Sequence, residues 1–143
     1  MRAGFCMTVP PEVAALARSW LTKASNDLKN ADHTLTLPDH ECPFDTACFH
    51  AQQCAEKALK AFLTVHGVAF QKIHDLGELL RLCTMAPDLT RELDEIELLI
   101  PYAVEARYPG EWDTIDRAEV GRAVALARKI LDAIQRRLDK LLS

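Results

Sequence analysis

The chain has 143 residues with a formal net charge of −4; about half of them are hydrophobic and only 6% aromatic. That length holds one domain with a real core and leaves no room for a second catalytic unit. A negative overall charge gives no general attraction for polyanions, so any contact with nucleic acid or nucleotide requires a local patch. No apolar run approaches the length of a membrane span and the N-terminus has no secretory layout, which points to a cytoplasmic protein without membrane attachment.

Ala and Leu outnumber the β-branched residues, which favours packed helices. Residues 1–9 show no periodicity and are expected to form a flexible N-terminus. Pro10 and Pro11 then open a helix over about 11–35, with Val13, Leu16, Ala17, Trp20, Leu21, Ala24, Leu28 and Ala31 at helical spacing. Residues 37–44 contain Pro38, Asp39, His40 and Pro43 and read as a loop. From Phe44 a second helix runs through Ala47, His50, Ala51, Cys54, Ala55, Ala58, Leu59, Phe62 and Leu63 to a Gly67 C-cap. Asp75 and Glu78 have capping-box spacing ahead of a short helix to about Met85. Asp88 is placed to cap a fourth helix with Leu89, Leu93, Ile96, Leu99, Ile100 and Ala103 on one face, kinked at Pro101 and stopped after Arg107 by Pro109 and Gly110. Asp116 and Glu119 repeat the capping-box spacing before a long amphipathic helix to Leu141. The pattern predicts an all-α protein, a single domain over residues 1–143: an up-and-down four-helix bundle with one additional short helix.

Charge is segregated along the chain. Asp88 to Glu105 carries six acids and one Arg, and Asp113 to Ser143 carries seven bases and five acids. Mutual attraction of neighbouring helices is the simplest reading, with a basic binding face on the last helix as the alternative.

Three groups of residues bear on chemistry. His40, Cys42, Cys48, His50 and Cys54 are crowded together, yet no zinc knuckle and no Glu-x-x-His pair is present, so no metal and no cofactor is expected. The five cysteines fit reduced thiols, and neither Cys nor Ser sits in a nucleophile elbow. On the second helix Gln53, Glu56, Lys57 and Lys60 share one side. They form either a solvated salt-bridged face or a surface that donates to phosphate or to a partner backbone. Finally, Tyr102, Arg107, Tyr108 and Trp112 gather three of the nine aromatics around one Arg. That set either holds a nucleotide or a single-stranded base, or plugs the bundle end.

Taken in order, Phe49 to Leu63, then Lys72-Ile73-His74-Asp75-Leu76 with Leu79-Leu80, then Ala106-Arg107-Tyr108-Pro109 resemble the HEPN domain family, and Trp20 and Asp27-Leu28 fall where its pattern puts them. The resemblance spans nearly the whole chain. It implies a dimerising helical bundle, often encoded beside a minimal nucleotidyltransferase in toxin–antitoxin or related pairs, and linked to nucleotide or RNA binding. On this reading Gln53, Lys57, Lys60, Lys72, His74, Tyr102, Arg107 and Tyr108 are the candidate nucleotide or RNA contacts. One large branch consists of metal-independent ribonucleases that resemble one another in an Arg followed after four to six residues by a His. Arg107 stands at the Arg position, but Trp112 lies five residues on and no His follows His74. Trp cannot accept a proton, which leaves His74 as the alternative base beside Arg107. The readings that follow are a non-catalytic nucleotide- or RNA-binding homodimer partnered with a nucleotidyltransferase, a ribonuclease toxin using Arg107 and His74, or a purely structural module.

Overall fold

The computed structural model describes residues 8–103 and 114–142. Proline opens the first helix, α1 (Pro11–Thr34), where its missing N–H is no loss, and the Pro10 carbonyl accepts from Val13 and Ala14. A single 3-10 turn, Asp39–Glu41, interrupts the expected loop before α2 (Phe44–Val65). The end of α2 is a Schellman cap: Gly67 takes φ +69°, Val68 N–H donates to the Leu63 carbonyl at 3.0 Å, and Gly67 N–H to that of Thr64 at 3.2 Å. Asp75 caps α3 (Leu76–Arg81) by accepting from Glu78 N–H at 2.9 Å, and Asp116 caps α5 (Arg117–Leu142) by accepting from Glu119 N–H at 2.8 Å. The two glutamates turn outward from these caps, Glu78 to Arg81 and Glu119 to the Tyr102 hydroxyl.

The fourth helix differs from expectation. Its α-helical part, α4 (Pro87–Glu92), begins at Pro87 in the first helical position, so Asp88 lies inside the first turn and not at the cap. Beyond it the chain tightens into a 3-10 segment, Asp94–Tyr102. Leu93, Ile96 and Leu99 are buried and Tyr102 is half-buried, a strict three-residue period that a 3-10 helix turns to one side. Four acids between Glu92 and Glu97 disfavour a regular α-turn, and Pro101 has no amide to donate. The short third helix also ends earlier than expected, at Arg81, and continues in turns closed by Cys83 and Ala86 N–H.

Among the described residues the structure is all helical. Central α2 packs along both α1 and α5, which also touch each other, and α3 with the 3-10 segment closes a further side. Both helices carry small residues with no exposure: Ala17, Ala24 and Ala31 on α1, Ala47, Ala51, Ala55 and Ala58 on α2. Without side chains in the way the backbones come close, and larger residues such as Leu59, Phe62, Ile130 and Ile134 fill the remaining core. Val9 packs against that core ahead of α1.

Charge pairs tie the outer elements together; two acids of the 88–105 block, Asp88 and Glu92, meet arginines of the last helix, while Arg117 and Arg128 take acids from the first forty residues. Arg137 donates to Asp88 (3.0 Å) and Glu92 (3.4 Å), Arg136 to Glu92 (3.2 Å), and Arg128 holds both oxygens of Asp32 at 2.6 Å. Arg117 clamps the α1–α2 loop through Asp39 and the Leu35 and Leu37 carbonyls while lying over the Phe44 ring. The cysteines Cys42, Cys48, Cys54 and Cys83 are buried and form no disulfide with one another. No described helix is long and apolar enough to cross a membrane.

If close approach of α1 and α2 sets the bundle, Ala24→Leu forces an added side chain into filled space and costs about 1–3 kcal/mol. Urea unfolding followed by far-UV circular dichroism measures it. An unchanged midpoint contradicts the packing described.

Candidate functional site, a buried polar seam between α1 and α2

The polar side of α2 faces inward. Helical spacing puts His50, Gln53, Lys57 and Lys60 along one stripe, and α1 packs onto it, so that Lys60 is buried and His50, Gln53 and Lys57 are half-buried. Two carboxylates organise them. Asp27 of α1, itself buried, accepts from Lys57 Nζ at 2.5 Å and lies 2.8 Å from His50 Nδ1. One turn along, buried Glu56 takes Lys60 Nζ at 3.1 Å, and His74 Nδ1 stands 3.3 Å from both the Glu56 oxygen and Lys60 Nζ. Gln53 donates to Gln52 at 2.7 Å, and Gln52 in turn to the other Glu56 oxygen at 3.5 Å. Each carboxylate is thus shared by one lysine and one histidine.

Lys60 is 5% exposed, close to the limit for an ammonium ion, and it survives there because every side of it is compensated. Besides Glu56, its Nζ lies 5.5 Å from the Trp20 ring centroid and 5.6 Å from that of Phe70, and the two rings meet edge-on at 5.9 Å. Phe70 arrives on the segment between α2 and α3, whose tight course includes Lys72 at φ +65° and a turn closed by Ile73 N–H on the Phe70 carbonyl. A left-handed lysine costs free energy that its neighbours must offset, and this turn sets Phe70 on Lys60 and His74 on Glu56.

The expected site residues therefore separate. Gln53, Lys57, Lys60 and His74 are brought together, but Lys57 and Lys60 are neutralised by Asp27 and Glu56, and Lys60 is out of reach of a ligand. Lys72 is exposed, and the His74 side chain is 71% exposed with only its Nδ1 edge turned to the seam. Tyr102 belongs elsewhere, on the 3-10 segment, where its hydroxyl donates to Glu119 of α5 at 2.9 Å. Arg107, Tyr108 and Trp112 lie outside the described residues. The carboxylate of Asp27 was open to sequence reasoning: an acid set among Ala24, Leu28 and Ala31 on the apolar face of α1 needs a buried cation opposite.

Asp27, His50 and Cys54 form a carboxylate–imidazole–thiol order, with His50 and Cys54 one turn apart. It is not a nucleophilic set. Burial, reinforced by the Asp27 charge, pushes the Cys54 thiol up to about 12, and the thiol points at the Ala127 carbonyl of α5. No group of residues among those described is arranged to hold a metal ion.

What the fold and the seam define is a small helical bundle whose central helix carries a pattern of glutamine, glutamate and lysines turned onto its neighbour. The HEPN domain family profile matches residues 17–138, and the chain belongs to that family. A solved structure from Thermus thermophilus is 32% identical over 84% of this chain and 96% of its own, with a TM-score of 0.62. A second, described as an archaeal HEPN homologue, is 22% identical over 85% and 96%, also with a TM-score of 0.62, and shares the fold. Comparison with curated proteins returns no match.

Removing one partner of a buried pair strands the other charge. Glu56→Leu should cost about 3–5 kcal/mol in urea unfolding, and the double variant Glu56→Leu/Lys60→Met should cost less than the single one. A double variant no better than the single denies the pair its place.

His66, at the end of α2, has a buried Nε2 with no partner and a ring 4.4 Å from that of Phe62; desolvation holds its pKa below the ordinary 6.5. The unfolded chain therefore binds this proton more readily, so the His66 contribution to stability falls as pH drops below about 6.5. Melting curves between pH 7.5 and pH 5 should be flatter for His66→Leu than for the parent; parallel curves contradict the assignment.

Proposed function

We propose that this HEPN protein is a non-catalytic homodimer that binds a nucleotide or RNA and works as the partner of a minimal nucleotidyltransferase, in a toxin–antitoxin setting. One observation carries the non-catalytic part. After Arg107 the sequence keeps the residue types that grip phosphate and stack on bases, Arg107 and Tyr108, and supplies no histidine to take a proton. The seam supports a division of labour. Since Lys57 and Lys60 are spent on internal carboxylates, anion contact falls to exposed Lys72 and His74 and to Arg107 and Tyr108, with Tyr102 leading into that segment. Gln53 borders the seam as a supporting donor.

A second reading has its own observation. His74 is mostly exposed and its Nδ1 lies 3.3 Å from the Glu56 carboxylate, the backing that orients a general base. With Arg107 to hold a phosphate, His74 would then make this chain a metal-independent ribonuclease. A structural module without a ligand is the outcome if neither binding nor cleavage is found.

Incubation of the purified protein with RNA and with nucleoside phosphates in the presence of a chelator separates these readings. The proposal expects binding without cleavage, weakened about tenfold by Arg107→Ala, as loss of a charge-assisted contact implies. Cleavage that disappears in His74→Ala installs the ribonuclease reading instead. Absence of binding together with absence of cleavage ends both.

A further inference from the structure

Binding and cleavage ask opposite things of His74, because they need opposite tautomers of one neutral ring. A general base needs a free lone pair on the outer nitrogen, Nε2, so the ring proton must sit on Nδ1; a donor to a ligand needs that proton on Nε2. The His74 side chain is mostly exposed, and Nε2 has no partner among the described residues, so Nε2 is the nitrogen a ligand meets.

Nδ1 faces two groups that pull it in different directions. Glu56 Oε2 at 3.3 Å only accepts and draws a proton onto Nδ1, whereas Lys60 Nζ, also at 3.3 Å, only donates and needs the lone pair. Counting hydrogen bonds decides between them. Glu56 is satisfied without His74, since Gln52 donates to Oε1 and Lys60 to Oε2. Lys60 is left short. Its ammonium has three N–H groups and one oxygen acceptor; the Trp20 and Phe70 rings lie against its charge, and His74 Nδ1 is the remaining acceptor within hydrogen-bond distance. A proton on Nδ1 would aim a second donor at an ammonium that is 5% exposed and would take that acceptor away.

We infer that Lys60 is a positioning residue for His74: by donating to Nδ1 it holds the ring as the Nε2–H tautomer, and the outer edge of His74 is a hydrogen-bond donor to a phosphate oxygen of the ligand. Lys72, exposed and without an ion-pair partner among the described residues, lies two residues away and adds its charge to the same stretch of chain. The donor role rests on the nucleotide or RNA binding of the preceding section; the tautomer does not. With Nδ1 taken by Lys60, the basic nitrogen of His74 is turned into the seam and away from any substrate proton.

Long-range proton–nitrogen correlation on the full chain, at a pH high enough for a neutral ring, reads the tautomer directly. The parent should show a bare Nδ1 and a protonated Nε2. Lys60→Met should move the proton to Nδ1, where Glu56 alone remains to receive it, and Glu56→Gln, which keeps Lys60, should retain the parent tautomer. A parent with its proton on Nδ1, or a Lys60→Met ring that keeps it on Nε2, overturns the inference; if Lys60→Met does not fold, a change of tautomer in Glu56→Gln overturns it equally. Equilibrium binding of nucleoside triphosphates and of single-stranded RNA, with chelator present, tests the donor role. His74→Ala should weaken binding about tenfold, and His74→Gln, whose amide places an N–H near the position of Nε2, should stay within about threefold of the parent. Equal loss in the two variants removes the donor role and leaves the tautomer standing. A parent that binds neither probe ends the proposed binding function and the donor role with it, while the nitrogen shifts still decide what Lys60 does.

Discussion

The ion pair between Glu56 and Lys60 is the constraint around which the rest of the seam is arranged. An ammonium and a carboxylate taken out of water each cost several kcal/mol, and their mutual attraction offsets this only with good geometry and further compensation. The pair itself is local, one turn apart on α2, so it forms wherever α2 forms. Its surroundings are not local. Trp20 comes from α1, and Phe70 and His74 come from the chain that follows the Gly67 cap. The pair thus fixes where α1 docks and what course the α2–α3 connection takes, down to the left-handed Lys72.

A second pair repeats the arrangement further along the helix, and here the two partners sit on different elements. Asp27 of α1 reaches Lys57 and His50 of α2. Alanines flanking both pairs let the backbones approach closely enough for these contacts, and the contacts in turn fix the register along an interface whose small side chains discriminate poorly between neighbouring alignments. Packing supplies proximity and polarity supplies alignment. The cations this uses, Lys57 and Lys60, are held by carboxylates of the protein itself.

The main helices are legible in the residues. Pro11, Gly67, Asp75 and Asp116 mark ends that the structure respects, and the bundle follows from the apolar stripes of α1, α2 and α5. The segment after Pro87 fits two periods in sequence: at 3.6 residues Ile100 and Ala103 join the apolar face, whereas the folded chain buries Leu93, Ile96, Leu99 and, partly, Tyr102 at intervals of three. The stripe of Gln53, Glu56, Lys57 and Lys60 was visible as a stripe, but its direction was not. Helical spacing says which residues share a side and is silent on whether a neighbour covers it; Asp27, a lone acid within the apolar face of α1, was the residue that told of the cover. The family pattern is readable from Phe49 to Pro109, and its first two parts hold Glu56, Lys60 and His74 of the seam.

Burial of the Lys60 charge is the claim on which this account turns, and lysine ammonium groups can be observed directly by proton–nitrogen correlation spectroscopy. At neutral pH and low temperature, Lys60 should give an ammonium signal whose protons exchange slowly with water and transfer magnetisation to the Trp20 and Phe70 rings, while that of exposed Lys72 is lost to exchange. A Lys60 signal that vanishes with that of Lys72, or that shows no contact with either ring, would contradict an enclosed pair with Glu56.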